Sequence, residues 1–413
     1  MKNYSLLKKI SILFTGSLIS QLINFSVIPI LSRLYTPSEY GMYSFYLSLY
    51  YIFSIISMGR YDLAIFQAKT NKEAIYVLQT SILLSVLFMV SFYMLSPIIY
   101  TFINFLYNEK NLSSYFFLIP LHIFIANLGL LLYNFYNREG VYSKLFLFHI
   151  SSAITKATFS ILLKIILKLN GLIISLFIAS FSSFLVLSKD LKIFKMHSFS
   201  VKKMFFVLNK YKKYPKYSIA SGFLENFSAQ LPTLIIVKFF GMESAGYYFM
   251  ARNIAIIPTS LISSTFAKIF REEASKEFRI YQNAKNTWKK FLAILLVVSF
   301  LISLMFLFCA FLVPYFLGEK WVNTSLYIQL LIPIIFFQIL VSPLSSILFI
   351  TNKQEYDLFM NIALFIGMGL VAILAYVSSN IKLTLLSISL VYLIKYSWEL
   401  YLSYKFARGK KHG

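Results

Sequence analysis

The chain has 413 residues, of which 59% are hydrophobic and only 13% are charged, and its mean hydropathy is +0.73. A soluble domain carries about 25% charged residues, so this composition excludes an ordinary soluble protein and indicates a membrane protein. The formal net charge of +24 would suggest a nucleic-acid partner in a soluble chain, but the placement of the charges, described below, does not fit one.

Apolar runs of membrane-spanning length alternate with short polar breaks along the whole chain. Eight runs carry no charge and exceed the roughly 18 residues that a spanning helix needs, and four more apolar segments contain charged residues. We therefore predict an all-α, polytopic membrane protein with twelve transmembrane helices. The predicted helices cover residues 10–32, 40–59, 74–108, 111–137, 144–167, 169–188, 217–240, 244–267, 291–318, 321–352, 358–381 and 382–406.

The distribution of Lys and Arg predicts the orientation of the helices. The first helix has a basic flank but no small-residue cleavage site after it, so we expect it to be retained. With the N-terminus on one side, that side carries 29 Lys and Arg residues and the other side carries seven. By the positive-inside rule, both termini are then cytoplasmic.

The longest polar stretch, 189–216, has nine lysines and one aspartate. We predict that it is an amphipathic cytoplasmic linker that lies on the inner leaflet, where it contacts membrane lipids. It separates an N-terminal six-helix bundle, 1–188, from a C-terminal six-helix bundle, 217–413.

The two predicted bundles are related by a weak sequence repeat with an offset of 205. Arg33 corresponds to Lys238, and Gly41 corresponds to Gly246. The loop after the second helix contains "NKEA" (71–74) in the first half and "REEA" (271–274) in the second. Because six helices return the chain to the same side, the repeat is parallel, an arrangement found in alternating-access transporters.

The stretches "LSRLYTPSEYGMYS" (31–44), "GRYDLAI" (59–65) and "TNKEA" (70–74) resemble polysaccharide-biosynthesis, or O-antigen (Wzx-type), flippases. These belong to the multidrug/oligosaccharidyl-lipid/polysaccharide exporter superfamily. The resemblance implies transport of an undecaprenyl-diphosphate-linked oligosaccharide from the cytoplasmic to the periplasmic leaflet of a bacterial inner membrane. It also implies a glycan polymerase and chain-length machinery as partners in lipopolysaccharide or related polysaccharide biosynthesis.

Charged residues inside apolar segments are candidates for a substrate lumen, because a charge at mid-membrane costs at least about 2.5–3.5 kcal/mol on insertion scales. If the bundles face each other as in the family, seven residues border one cavity. They are Arg33, Arg60, Asp62, Lys156, Glu225, Lys238 and Arg252. Cations suit a diphosphate, and an acidic residue could exchange a coupling cation or orient an arginine.

Some of these charges have simpler explanations. Arg33 and Arg60 lie at helix ends, where anchoring at the lipid headgroups is sufficient. Lys395 and Glu399 are four residues apart on one predicted helix and could neutralise each other.

Two other functions compete with the flippase. A cation-coupled multidrug exporter of the same superfamily fits the helix count, but the excess of intramembrane cations argues against it. A membrane polysaccharide polymerase needs a large external loop, and the predicted external loops are short. No catalytic constellation, metal cluster or cofactor motif is visible, so we do not predict an enzyme.

Overall fold

The computed structural model describes residues 6–107, 113–168, 170–188, 200–351, 353 and 355–409. Over these ranges the chain is helical with no β-strand, so the predicted all-α class is confirmed. Of the α-helices with ten or more residues, the first seven are α1 (Leu6–Leu34), α2 (Pro37–Ser57), α3 (Asn71–Tyr107), α4 (Ile119–Arg138), α5 (Tyr142–Leu167), α6 (Gly171–Ser188) and α7 (Val201–Lys210). The other five are α8 (Ile219–Tyr281), α9 (Lys285–Leu317), α10 (Val322–Val341), α11 (Glu355–Ser378) and α12 (Ile381–Ala407).

Among the described residues, nine helices are long and apolar enough to cross a membrane. The helix α2 and the 3₁₀ helix Tyr61–Gln67, with a bend of 54° between them, pass the same test together and would make a tenth if the pair is one span. The two remaining predicted segments, 217–240 and 244–267, correspond to the two arms of α8, which begins at Ile219 and joins two helices across a kink. Its backbone is interrupted at Gly241 (φ 81°, ψ 176°), a conformation that only glycine adopts freely.

The second arm of α8 extends beyond its predicted end at residue 267 and continues to Tyr281. The segment "REEA" therefore lies within a helix and not in a loop. Lys276 pairs with Glu272 at 2.8 Å and with Glu273 at 3.0 Å, at the spacings that support a helix on its exposed side.

Two short sequence motifs begin helices by the same mechanism. At the start of α2, the backbone N–H of Glu39 donates to Thr36 Oγ1 at 3.3 Å, and the backbone N–H of Thr36 donates to Glu39 Oε2 at 2.9 Å. At the start of α3, Thr70 Oγ1 accepts from the backbone N–H of Glu73 at 3.2 Å. The first motif is a capping box, whereas in the second the Glu73 carboxylate accepts from the backbone N–H of Lys69 at 2.9 Å. Both motifs satisfy N–H groups that a helix leaves free, and such caps are worth about 1 kcal/mol each. These hydrogen bonds explain why the motifs "TPSE" (36–39) and "TNKE" (70–73) stand at the starts of α2 and α3.

The chain divides by its contacts into two compact units. The first contains residues 1–35 and 42–227, and the second contains residues 36–41 and 228–413, of which we consider only the described ranges. The sequence-based domains 1–188, 189–216 and 217–413, which set the linker apart, stay a prediction. Within that linker, 189–199 lie outside the described residues.

The first unit includes α7 because one face of this helix is packed into its core. Val207 is completely buried, and Tyr61 donates its hydroxyl hydrogen to the backbone oxygen of Leu208 at 3.1 Å. Tyr211 donates to Glu73 Oε1 at 2.9 Å, and Lys210 also pairs with this carboxylate. Burial, together with the hydrogen bond to Glu73, raises the pKa of Tyr211 to about 12, so it remains a donor at neutral pH. The predicted contact of this segment with the inner leaflet stays a prediction.

The second unit includes Thr36–Gly41 because this short segment is packed around a buried tryptophan. Trp321 is 0% exposed. The ring of Tyr40 meets it edge-on at 5.1 Å, and that of Tyr247 does so at 6.1 Å. These aromatic contacts fix the beginning of α2 among the helices of the second unit.

Candidate functional site

The end of α2 is a backbone break that positions Arg60. Gly59 (φ 60°) and Arg60 (φ 60°, ψ 17°) both have left-handed conformations, and the chain then turns into the 3₁₀ helix. Glycine adopts this conformation easily. A non-glycine residue held there costs about 1–3 kcal/mol and persists only where the surrounding structure enforces it. The strained arginine therefore marks the break as a candidate site.

A cavity of about 330 Å³ lies inside the first unit beside this break. Its walls come from α2, α4, α5 and α6, together with Arg60 and Asp62. Six wall residues carry hydroxyl groups, namely Tyr50, Tyr51, Ser54, Ser152, Ser180 and Ser183. Ligand pockets usually measure about 300–1,000 Å³, so this one suits a small polar group.

Arg60 and Asp62 place one positive and one negative group at the cavity. Asp62 is 6% exposed and interacts electrostatically with Arg60, but in the described ranges the two form no ion pair within 4.0 Å. The Nε atom of Arg60 is buried and has no hydrogen-bond partner among the described residues. Gly222 packs against the guanidinium, since a Cβ there would lie 3.8 Å from Arg60 Cζ. A buried donor that is left unpaired costs about 1–3 kcal/mol or more, so a ligand acceptor would stabilise Arg60.

Asn127 ties the cavity wall together. Its side-chain Nδ2 donates to Ser57 Oγ at 2.9 Å and to Ser85 Oγ at 2.7 Å. Both amide hydrogens are used in these bonds, which join α4 to α2 and α3. The side chain of Asn127 therefore supports the shape of the cavity.

A buried histidine stands behind the cavity wall. His122 Nδ1 lies 2.9 Å from the hydroxyl of Tyr46, and His122 Nε2 lies 3.1 Å from Ser180 Oγ. The imidazole ring stacks on Tyr50 at 4.5 Å between ring centres. Two wall residues, Tyr50 and Ser180, are thus held in place by one side chain.

Lys156 lies one helical turn from the cavity, because Ser152 on the same helix lines it. The Lys156 Nζ atom is 5.8 Å from the centre of the Tyr43 ring, and Lys156 also interacts with Tyr51. Among the residues described, no carboxylate pairs with Lys156. A half-buried cation without a carboxylate partner is costly within a membrane-spanning helix, so an anionic ligand group is a suitable partner.

The second unit holds its own charged cluster. Arg252 is half-buried and interacts with the hydroxyl groups of Tyr248 and Tyr396. Glu399 is 8% exposed, and its Oε2 atom has no partner within the described ranges. Lys395 interacts with Glu399 but lies over the ring of Tyr396 at 5.8 Å and forms no ion pair in the part of the chain described. Their mutual neutralisation is thus electrostatic and not a direct contact.

The structure brings only part of the predicted lumen set together. Arg60 and Asp62 line the cavity, and Lys156 is adjacent to it. Arg33 and Glu225, in the same unit, are exposed and do not line it, and Lys238 of the second unit is also exposed. Roles in substrate binding remain predictions for all seven residues.

The sequence analysis missed the uncharged members of the site. Tyr46, Tyr50 and Ser54 are spaced four residues apart and therefore lie on one face of α2. This four-residue spacing is the signal in the sequence that indicates them. The four histidines lack the spacing of metal ligands, so the sequence alone does not indicate His122.

These features define an all-α membrane transporter fold, and solved structures agree. Lipid II flippase MurJ, in an inward closed conformation, matches with a TM-score of 0.72 over 94% of this chain and 87% of that chain, at 14% identity. An inward-facing multidrug resistance MATE family transporter of the MOP superfamily matches with a TM-score of 0.67 over 93% of each chain, also at 14% identity. A MOP superfamily transporter from Pyrococcus furiosus gives 0.59 over 95% of this chain and 94% of that chain, at 14% identity. At such identities the likeness shows the fold alone.

The sequence profile described as "Polysaccharide biosynthesis protein" matches residues 30–326. This range covers well over half of the chain, and the chain belongs to that family. No curated protein matches it significantly by sequence. The family resemblance found in the sequence is confirmed.

Proposed function

We propose that this protein is a flippase for a lipid-linked surface glycan, an undecaprenyl-diphosphate-linked O-antigen or related unit. It would move the glycan from the cytoplasmic to the periplasmic leaflet of a bacterial inner membrane by alternating access, with both termini in the cytoplasm. The observation that carries the proposal is the cavity with six hydroxyl-bearing wall residues and an unpartnered Arg60 Nε. Membership of a polysaccharide biosynthesis family supports the glycan.

The chemistry of the cavity suits a sugar. A glycan is too polar to cross lipid because its hydroxyl groups would lose their hydrogen bonds to water. Serine and tyrosine hydroxyls can replace that water, and the rings of Tyr50 and Tyr51 offer flat apolar surfaces for the faces of a sugar. Arg60 adds a charged donor, which makes stronger hydrogen bonds than a neutral one. Lys156 is placed to neutralise a phosphate next to the sugar.

A multidrug exporter is the second candidate, because a MATE family transporter shares the fold. A pocket for lipophilic cations should be mainly apolar and anionic. This cavity contains Arg60 as well as Asp62, and Lys156 lies beside it, which favours an anionic, hydroxylated ligand. A polysaccharide polymerase is the third candidate, and the likeness to transporter folds argues against it.

Deletion of the gene in its own bacterium separates the three candidates. Loss of a flippase should remove the surface glycan completely and leave lipid-linked units in the cytoplasmic leaflet. Loss of a polymerase should still leave single glycan units on the surface. Loss of an exporter should increase retention of a cationic dye such as ethidium with the glycan intact. Either of the last two results would contradict the proposal.

Complementation then tests the cavity. An Arg60→Ala protein, present at normal abundance, should restore less than a tenth of glycan export, because a charged hydrogen bond contributes about 1.5–3 kcal/mol. Arg408→Ala serves as the control, since Arg408 lies outside the cavity at the end of α12. We expect the exported glycan to pass to a polymerase and chain-length machinery, which deletion of those genes in the same strain would test.

A further inference from the structure

Three side chains, Tyr46, His122 and Ser180, form a chain of hydrogen bonds that ends at the cavity wall. Their burial determines which atom donates and which accepts in each bond. Tyr46 is 0% exposed and His122 is 2% exposed, so neither exchanges hydrogen bonds with bulk water. Of the three residues, only Ser180 lines the cavity. The positions of the hydrogens in this chain determine what Ser180 offers to a ligand.

The hydroxyl group of Tyr46 determines which nitrogen of His122 carries the hydrogen. Over the residues that the structure describes, its hydroxyl makes no hydrogen bond other than the 2.9 Å contact with His122 Nδ1. A buried hydroxyl hydrogen without an acceptor costs about 1–3 kcal/mol, so Tyr46 donates to Nδ1. Nδ1 then accepts, and the single hydrogen of the neutral ring lies on Nε2. An imidazolium ring is excluded by the same reasoning, because it would carry a hydrogen on Nδ1.

The next step concerns Ser180. His122 Nε2–H donates to Ser180 Oγ across 3.1 Å, so the serine hydrogen cannot point back at the ring. Ser183, one turn along α6, uses its hydrogen on the backbone oxygen of Ala179 at 2.7 Å. Ser180 makes no such bond in the described ranges. Its hydrogen therefore remains available on the side of the cavity.

We propose that His122 is a positioning residue that makes Ser180 a hydrogen-bond donor toward the substrate. This rests on the proposed function, under which the acceptor is an oxygen atom of the bound glycan. Arg60 supplies a second donor through Nε. The two donors select a sugar that presents two acceptor oxygens. The ring of Tyr50, which is stacked on His122, covers one face of that sugar.

The tautomer of His122 can be measured without any substrate. The full chain is labelled with ¹⁵N-histidine, purified in detergent and studied by NMR at neutral pH. The sequence has four histidines, and the His122 signals are assigned by their loss in His122→Gln. We expect a neutral ring with its hydrogen on Nε2. A hydrogen on Nδ1, or a charged ring, would overturn the inference whatever the protein transports.

Glycan export tests the donor itself. Ser180→Ala should lower export roughly three- to tenfold at unchanged abundance, the effect of one lost hydrogen bond. Ser175→Ala, the control on the same helix, should export normally because Ser175 does not line the cavity and its hydrogen is already used on the backbone oxygen of Leu172 at 3.0 Å. Equal export by the two variants would refute the role of Ser180.

The role of His122 as a positioning residue requires rescue by a side chain with a similarly placed donor. His122→Gln can donate to Ser180 from about the position of Nε2, whereas His122→Leu cannot. We expect the glutamine variant to keep several times more export than the leucine variant at matched abundance, and equal export would contradict the assignment. If deleting the gene leaves the glycan intact, the proposed function fails and this inference loses its ligand, while the NMR result stands.

Discussion

Gly41 packs against the backbone of Met242, and Gly246 packs against the backbone of Pro37, within the second unit. A Cβ on Gly41 would lie 1.8 Å from the backbone oxygen of Met242, and a Cβ on Gly246 would lie 1.8 Å from that of Pro37. With the offset of 205, Gly41 corresponds to Gly246 and Pro37 corresponds to Met242. The contact is therefore reciprocal, and the weak sequence repeat reappears here as a local two-fold relationship.

Because the contact is reciprocal, Gly41→Ala and Gly246→Ala should have matching effects. Each methyl group would meet a backbone oxygen that cannot rotate away, so helices must move apart. We expect each variant to lose at least about 1–3 kcal/mol of the free energy of unfolding. Thermal unfolding of the detergent-solubilised protein measures this loss.

Gly369→Ala is the control for this pair. Gly369 lies inside α11, and a Cβ there would meet nothing within 4 Å. Alanine is favoured over glycine by about 0.5–1 kcal/mol in a helix interior, so this variant should be as stable as the wild type or more so. The close crossing would be refuted if Gly41→Ala or Gly246→Ala behaved like Gly369→Ala.

Arg60 should show opposite effects on stability and function. Arg60→Gly removes the left-handed strain and should raise the free energy of unfolding by up to about 1 kcal/mol. The same change removes the donor at the cavity, so glycan export should fall. Thermal unfolding and surface-glycan analysis of one strain set measure both effects.

Lys168→Gly is the matched control for Arg60→Gly. Lys168 also has a left-handed backbone (φ 53°, ψ 19°) at the end of α5 and does not line the cavity. It should gain similar stability and keep full export. If Lys168→Gly also lost export, the introduced glycine, and not the missing guanidinium, would explain the export defect of Arg60→Gly.

Local signals in the sequence predicted much of the fold. Apolar length predicted the spanning helices, and the predicted end at residue 59 lies two residues from the end of α2 at Ser57. The predictions that failed depended on long-range contacts. The break at Gly241 falls between the two predicted segments, but the far end of α8 could not be foreseen, because the ion pairs of Lys276 support its second arm beyond residue 267.

The candidate site was harder to predict than the fold. Membrane charges indicated Arg60, Asp62 and Lys156 because burying a charge is costly anywhere in a membrane. Whether an uncharged side chain contributes to a site depends on the residues that it contacts in the folded structure. His122 and Ser180 are 58 residues apart in the chain, and only the folded structure shows that they are bonded.

The two faces of α7 should respond differently to a charge. Val207 is completely buried, whereas Phe205 is 63% exposed. Val207→Asp would bury an unpaired charge, at a cost of several kcal/mol, and should release α7 from the first unit. Hydrogen exchange of residues 201–210 should then become much faster. Phe205→Asp should leave this exchange unchanged and weaken only contact with the inner leaflet, and faster exchange there would contradict the assignment of the faces.

The predicted orientation can be tested with topology reporters. The positive-inside rule places residues 200–216 in the cytoplasm and Glu319 in the periplasm. A reporter inserted after Lys212 should therefore give a cytoplasmic signal, and one inserted at Glu319 a periplasmic signal. Reversed signals at both positions would overturn the orientation and the direction of transport proposed from it.

Arg33 and Arg252 should differ in their tolerance of lysine. Arg33 lies in the last turn of α1 and is exposed, which suits an anchor at the headgroups that needs only a long cationic side chain. Arg252 is half-buried beside Tyr248 and Tyr396, where a planar guanidinium can bind a diphosphate with two parallel hydrogen bonds and a lysine cannot. Arg33→Lys should therefore export glycan normally, and Arg252→Lys should lose at least about tenfold at equal abundance.

The alanine variants separate anchoring from substrate contact at these two positions. Arg33→Ala should lower the amount of protein more than the export per molecule, because an anchor acts on insertion and stability. Arg252→Ala should do the reverse. Full glycan export by Arg252→Ala at wild-type abundance would remove Arg252 from the substrate path. The charge that remains for the diphosphate would then be Lys156, which already lies one turn from the hydroxyl-lined cavity of the first unit.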